Sequence, residues 1–228
     1  MSNFLLDFIH LIYPNLCSAC GENLVKGEEA ICLKCIFNLP KTNYHLQADN
    51  PIEKRFWGRT QIENATAFFH FQKGTEFQRL LHELKYKGNQ KVGVVLGKYL
   101  GNELMLTEKF RSIDLIVPVP LHKNKQLKRG YNQSSCIAAG IGKIMQKPID
   151  EKHLIRVIEN PTQTKKSVYE RWENTDGIFE NTNTSVFKHK HVLLIDDVLT
   201  TGSTLLACAD ELLKSDQCKV SVATLAVA

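Results

Sequence analysis

Two clusters of residues in this 228-residue chain have types and spacings that could do chemistry. The first runs Val192-Leu193-Leu194-Ile195-Asp196-Asp197-Val198-Leu199-Thr200-Thr201-Gly202-Ser203-Thr204. Val192 to Ile195 suit a buried strand, and two adjacent carboxylates follow where that strand is expected to leave its sheet. Their repulsion has to be offset by partners, which points to a ligand or a metal. As acceptors, Asp196 and Asp197 suit a vicinal diol such as the ribose 2′- and 3′-hydroxyls. Gly202 lets main-chain amides approach an anion, and a helix beginning there offers unpaired N–H groups and the positive end of its dipole. The hydroxyls of Thr200, Thr201, Ser203 and Thr204 can donate to phosphate oxygens without adding charge. A polar-capped turn would explain the hydroxyls alone, but not the paired acids. A Walker loop fails, because no Gly-Lys-Ser or Gly-Lys-Thr is present.

The second cluster is Cys17-Ser18-Ala19-Cys20 and Cys32-Leu33-Lys34-Cys35, two Cys-x-x-Cys turns separated by eleven residues. Each turn presents two thiolates to one ion, and together they complete a tetrahedral S₄ site for structural zinc, with no position left open for catalysis. Cys136, Cys208 and Cys218 are scattered in apolar surroundings. With no signal peptide expected, metal ligation is preferred over disulfides. The module would bind a partner or DNA, or only stabilise a small fold.

A third stretch, Val117-Pro118-Val119-Pro120-Leu121-His122, leaves a strand and runs into Lys123, Lys125, Lys128 and Arg129, then Gly130-Tyr131-Asn132-Gln133. A loop stiffened by prolines and followed by cations suits a polyanion such as pyrophosphate. Val119, Pro120, Leu121 and Arg129 are the candidates, although a solvated basic loop explains any single lysine. The charge is uneven: residues 121–171 carry eleven Lys or Arg against four Asp or Glu, more than the whole-chain excess of +5. Such a surface should face an anion, either a phosphate ligand or a nucleic-acid backbone.

The elements that must position these residues alternate. Strands are expected at 65–71, 113–117, 153–158, 191–195 and 220–227, and helices at 76–85, 92–105, 134–145 and 203–214. This is an α/β chain with a mostly parallel sheet and its ligands at the C-terminal strand ends. Residues 1–45 are expected to form a helix plus the small zinc-ribbon-like Cys₄ module, 46–60 a linker, and 61–228 the main domain, with a variable hood at about 61–110. Residues 160–177 form a long polar excursion, which in a compact domain is functional or disordered. The apolar segment 4–13 contains Asp7 and His10 and lacks a basic n-region and a cleavage site, so it reads as a docked amphipathic helix. No run approaches the roughly 18 apolar residues of a membrane span. A cytoplasmic chain without membrane insertion is expected.

The Asp196-Asp197 to Thr204 segment resembles the phosphoribosyl pyrophosphate (PRPP) signature of type I phosphoribosyltransferases. That resemblance implies diol binding by the two acids and 5′-phosphate binding by Thr200, Thr201, Gly202, Ser203 and Thr204. Pro-Val-Pro-Leu-His with Arg-Gly-Tyr-Asn-Gln is similar to a narrower group, the ComF competence-protein family, which joins an N-terminal zinc module to such a domain. Leu84-Lys85-Tyr86-Lys87-Gly88 and the pattern Thr162, Gln163, Arg171, Asn174 extend the likeness over almost the whole chain. Gln126 and Leu127 stand where that family usually has arginines.

The resemblance implies PRPP with Mg²⁺ as ligand, the metal being held mainly by substrate oxygens with indirect help from Asp196 and Asp197. It also implies a mobile flap at 160–177 carrying Lys165, Lys166 and Arg171, of which Arg171 has the best claim as a catalytic residue. Two readings stay open. One is an enzyme displacing pyrophosphate from ribose C1 with a nitrogen nucleophile, in DNA uptake or nucleotide salvage. The other is a non-catalytic PRPP sensor that binds single-stranded DNA beside DNA-uptake machinery. Lys85-Tyr86-Lys87 would stack and neutralise such a strand, and a helix C-terminus explains it equally well.

Overall fold

The computed structural model describes residues 14–158 and 177–228. The segment 4–13, the Thr162 to Asn174 pattern, Lys165, Lys166 and Arg171 lie outside them. In chain order the helices are α1 (Leu33–Phe37), α2 (Glu76–Tyr86), α3 (Gln90–Leu104), α4 (Glu108–Arg111), α5 (Lys123–Arg129), α6 (Gln133–Met145) and α7 (Ser203–Leu213). The strands are β1 (Ala65–His70), β2 (Leu115–Pro118), β3 (Leu154–Arg156), β4 (Phe179–Asn181), β5 (His191–Leu199) and β6 (Lys219–Val227). An α/β domain with a parallel sheet is therefore present.

The main sheet has the order β1-β6-β5-β2, and every pair in it is parallel. Its strands are apolar almost throughout, as burial on both faces requires. On β5, Leu193 and Ile195 belong to one core with α2, α3 and α6, while Val192 and Leu194 belong to the other with α7. The alternation of side chains across the pleat makes this division.

Two expectations about strands are corrected. The strand anticipated at 153–158 does not enter the main sheet: β3 pairs antiparallel with β4 in a separate two-stranded ribbon. Only Leu154 is buried there, and Ile155 and Arg156 are half-exposed, which suits a ribbon rather than a central parallel strand. A bridge from Ile149 to Ile116 occupies the outer side of β2 instead. The excursion is thus flanked by ribbon strands, not by core strands. In addition, β5 continues beyond Ile195, because Val198 and Leu199 pair with Ala226 and Val227. The two acids therefore stand within the strand, and the loop begins at Thr200.

The cysteine module is joined to the sheet by a continuous core. Cys17, Cys32, Cys35, Ile31 and Ile36 share one buried cluster with Leu80, Leu84, Val92 and Leu193. Residues 46–60 are also packed: Ile52 and Phe56 enter the α7-side core. Asn50 ties this stretch to β1 by donating to the Ala65 carbonyl at 2.9 Å.

Helices α3 and α6 approach through glycines. A Cβ on Gly97 would lie 2.2 Å from the Ile137 carbonyl oxygen, and one on Gly140 would lie 2.2 Å from that of Val94. Alanine normally gains up to about 1 kcal/mol over glycine inside a helix. Here the collision is with backbone, which no rotamer can relieve. We expect Gly97→Ala to lower stability by about 2 kcal/mol, roughly 4–8 °C in Tm, measured by thermal denaturation. An unchanged or raised Tm would show that the helices separate at no cost.

Candidate functional site

The site lies at the C-terminal end of β5. Leu199 ends the strand, Thr200 and Thr201 turn the chain, and Gly202 takes the left-handed conformation (φ 83°) as the N-cap of α7. Its carbonyl accepts from Leu206 N–H at 2.9 Å. The Thr201 and Ser203 hydroxyls meet at 3.1 Å. Arg55 anchors the loop from behind by donating to the Thr200 carbonyl. A small hollow of about 40 Å³ opens among Asp196, Thr200, Thr201, Gly202, Ser203 and Thr204. A helix start, a glycine and a ring of hydroxyls around a hollow can receive a tetrahedral anion.

Asp196 lines that hollow, Asp197 follows it on β5, and the two acids have different partners. Asp196 Oδ1 accepts from Ser134 Oγ at 3.0 Å and from Asp197 N–H at 2.9 Å. Asp197 Oδ2 lies 3.0 Å from Lys85 Nζ. Burial, then the neighbouring charge of Asp197, raises the Asp196 carboxyl to about 7, against the pull of the Ser134 hydroxyl and the Lys85 charge. Arg156 of β3 stands near enough for its charge and that of Asp196 to interact. Asp196 can therefore offer a group that changes protonation near neutrality, next to an anion cradle.

The Pro118 to Gln133 segment acts as a brace. Val119 is buried, its N–H donates to the Ile195 carbonyl at 2.8 Å, and its carbonyl accepts from Asn132 Nδ2 at 2.9 Å. Both backbone groups of Val119 are thus committed to the fold. Pro120 and Leu121 are half-exposed at the mouth of the same loop. Arg129 donates to Gln133 Oε1 at 2.8 Å, and its guanidinium lies 5.8 Å from the centre of the Tyr86 ring. Tyr131 donates its hydroxyl to the Leu84 carbonyl. Asn132 caps α6 by accepting from Ser134 N–H. The motif from Arg129 to Ser134 thereby ties the β2 loop, the end of α2 and Asp196 together.

Sequence reasoning missed Lys85 and Ser134 as partners of the acids. Lys85 sits in a segment quoted for its motif, but its partner is 112 residues away. Ser134 had only the signal of following an N-capping asparagine.

The N-terminal cysteines converge as their spacing required. The four Sγ atoms lie within 4.8 Å of one another, and Cys20 and Cys32 are 3.8 Å apart. A tetrahedral ion with Zn–S bonds of about 2.3 Å needs S···S separations of about 3.8 Å, so the cluster fits zinc. Cys17 Sγ accepts from Cys32 N–H at 3.3 Å, and Cys32 Sγ from Cys35 N–H at 3.4 Å. Such N–H···S bonds support bound thiolates. Gly21, at φ 82°, turns the first knuckle. Asn89, just past α2, donates to Ser18 Oγ at 3.1 Å and so links this knuckle to the helix that carries Lys85.

The raised value of Asp196 has a consequence for the ligand-free protein. Its folded-state value lies above the ordinary 3.8, so the native state binds more protons than the unfolded chain between about pH 4 and 7. The carboxyl therefore subtracts stability progressively as pH rises through that window. Asp196→Asn keeps an acceptor for Ser134 and removes the charge. It should stabilise the ligand-free protein on the order of 3 kcal/mol at pH 8 and have little effect at pH 4, read from denaturant midpoints. Equal effects at both pH values would contradict the raised value.

With this geometry in place, comparison with known proteins gives a consistent result. Residues 151–228 match the phosphoribosyl transferase domain family. The chain is 26% identical over 211 residues to DNA utilization protein YhgH of Escherichia coli, covering 91% of this chain and 88% of that one. It is 33% identical over 100 residues to competence protein F of Haemophilus influenzae, covering 43% of this chain and 44% of that one. It is 26% identical over 195 residues to competence protein ComFC of Bacillus subtilis, covering 80% of this chain and 77% of that one. With its N-terminal four-cysteine cluster and a C-terminal match to the phosphoribosyl transferase domain family, the chain is similar along most of its length to DNA utilization protein YhgH and competence protein ComFC, and over part of it to competence protein F.

Proposed function

We propose that this protein binds PRPP at the C-terminal end of β5 and acts in DNA uptake or nucleotide salvage. The observation that carries the reading is that Asp196, with Asp197 next to it in β5, lines the same hollow as the Thr200–Thr204 loop, which sets a diol acceptor beside an anion cradle. In that arrangement the acids take the ribose 2′- and 3′-hydroxyls and the loop takes the 5′-phosphate. Pyrophosphate extends toward Pro120 and Leu121. Arg129, the proposed cation for pyrophosphate, sits at the far end of that loop, where it also bonds Gln133 and lies over the Tyr86 ring. Asp196 and Asp197 would help indirectly to hold Mg²⁺ brought in with the ligand, and the ion would supply charge neutralisation there.

If turnover occurs, the C1–O bond to pyrophosphate breaks and pyrophosphate leaves with the electron pair. A nitrogen nucleophile bonds to C1 and gives up its proton. Arg171, outside the described residues, remains the proposed partner of the departing pyrophosphate. The four cysteines are proposed to hold structural zinc. No helix among the described residues is long and apolar enough to cross a membrane, and the proposed location is the cytoplasm.

PRPP with Mg²⁺ at about 100 times its Kd should stabilise the protein by about 2.7 kcal/mol in a thermal-shift titration. The Asp196→Asn/Asp197→Asn double variant should lose that shift. No shift with wild type, or an equal shift with the variant, contradicts the ligand. A screen of nitrogenous bases for pyrophosphate release separates the two readings: release by any base supports the transferase, and binding without release leaves a sensor.

A second reading, direct binding of single-stranded DNA, is favoured by α5. No residue of this helix is buried, it carries three lysines and an arginine, and Leu127 is 82% exposed. Tyr86, two-thirds exposed, stacks beside it under Arg129. Cations beside an exposed ring suit a stacked, phosphate-bearing strand. The name of the Escherichia coli relative, DNA utilization protein YhgH, points to DNA. Binding to an oligonucleotide should weaken steeply between 50 and 200 mM salt by about 0.7 log units in K per log unit of salt for each phosphate neutralised. Salt-independent binding, or none, contradicts it.

A further inference from the structure

Lys85 forms an ion pair with one of the paired acids, and neither its motif nor the comparisons give it a role toward them. Its ammonium lies 3.0 Å from Asp197 Oδ2, with the lysine side chain 26% and the aspartate 14% exposed. The pair is therefore shielded, unlike a solvated surface bridge of little energetic weight. The neighbouring Lys87 provides the contrast. It is 54% exposed and pairs one turn back along its own helix with Glu83. Two lysines flank Tyr86, and only one is delivered to the site.

The delivery is built into the fold at both ends of the segment. Tyr131 holds the Leu84 carbonyl, and Asn89 holds Ser18 of the first cysteine knuckle. Leu84 itself is fully buried in the core shared with α3 and α6. With its neighbours pinned, Lys85 meets Asp197 at small cost in side-chain freedom.

We propose that Lys85 is a positioning residue of the diol site, holding Asp197 oriented and charge-balanced so that it can accept a hydroxyl while an anionic ligand enters beside it. Without this cation, the ligand's phosphates would approach Asp197 with its charge uncompensated by Lys85. With it, one of the two is already compensated. Ser134 performs the corresponding task for Asp196 by a neutral hydrogen bond. The two acids are thus held by different chemistry, one by an ion pair from α2 and one by a hydroxyl from α6.

This inference rests on the diol reading above, and its test separates the two. The probe is ribose 5-phosphate, which has the diol and the phosphate but no pyrophosphate, with affinity read by calorimetry at fixed pH and salt. Lys85→Met should weaken binding about tenfold or more, the scale of one charge-assisted contact. Lys85→Arg should recover most of it. In an Asp197→Asn background, Lys85→Met should add little, because the two residues act as one unit. Thermal melts of ligand-free wild type, Lys85→Met, Asp197→Asn and the double variant measure the ion pair independently of any ligand.

An undiminished affinity in Lys85→Met overturns the proposal. So does an equal loss with and without Asp197, which would mean direct ligand contact or a general folding defect. Additive melts, with no coupling between Lys85 and Asp197, also overturn it. Wild-type protein that binds neither ribose 5-phosphate nor PRPP overturns the function itself, a result distinct from a defect confined to Lys85 variants.

Discussion

Two carboxylates next to each other in a buried strand cannot both be left without partners, and much of this structure is arranged around that constraint. Desolvation and mutual repulsion each disfavour the charged pair. One acid accepts a hydroxyl from the start of α6, and the other takes a lysine from the end of α2. For those groups to arrive, both helices have to pack on the same face of the sheet and lie close together. The glycine contacts between α3 and α6 bring that layer together. The Arg129 to Ser134 motif closes the remaining distance by binding the β2 loop, the Leu84 carbonyl and Asp196 in one connected network.

The parallel sheet supplies the direction. All four strands point the same way, so their C-terminal ends form one rim, and the Thr200–Thr204 loop, the acids and the β2 loop all stand on it. This is where an α/β sheet exposes strand ends and helix N-termini to a ligand. The opposite end is closed by ordinary structural bonding. His191 there bridges Ser112 and Ser221, and its N–H donates to Asp114. The asymmetry between a committed end and a receptive one locates the chemistry.

The cysteine module has a similar double character. Its four sulfurs face one another as a metal site requires, yet the same cysteines belong to the apolar cluster that contains the helices of the main domain. The knuckle contacts the segment carrying Lys85 through Asn89. The module is therefore part of the architecture that positions the acids. A small fold that shares its core with a larger one gains burial that it could not achieve alone.

Much of this was legible in the chain itself. The run from Val192 to Thr204 revealed the strand, the acids, the glycine and the helix start, because each is a local consequence of residue type. The Cys-x-x-Cys spacings revealed the S₄ cluster for the same reason, since a turn of that length can only aim its two thiols together. Helices α2, α3, α6 and α7 were expected to within about two residues at their ends, whereas the short α1 and α4 were not, and α5 was read as a basic loop. Other features required the tertiary structure. The strand near 153–158 left the main sheet for a ribbon because its partner is β4, and pairing is not a local property. Val119 bonds both backbone groups, to Ile195 and Asn132, and Arg129 bonds Gln133 and lies over Tyr86, contacts that their residue types alone do not reveal. Lys85 could not be assigned from Leu-Lys-Tyr-Lys-Gly, where either lysine looks equally solvated. Composition and spacing decide which groups a chain can offer. Packing of α2 and α6 against one face of the sheet decides which of them meet Asp196 and Asp197, since contacts across more than a hundred residues depend on the whole core.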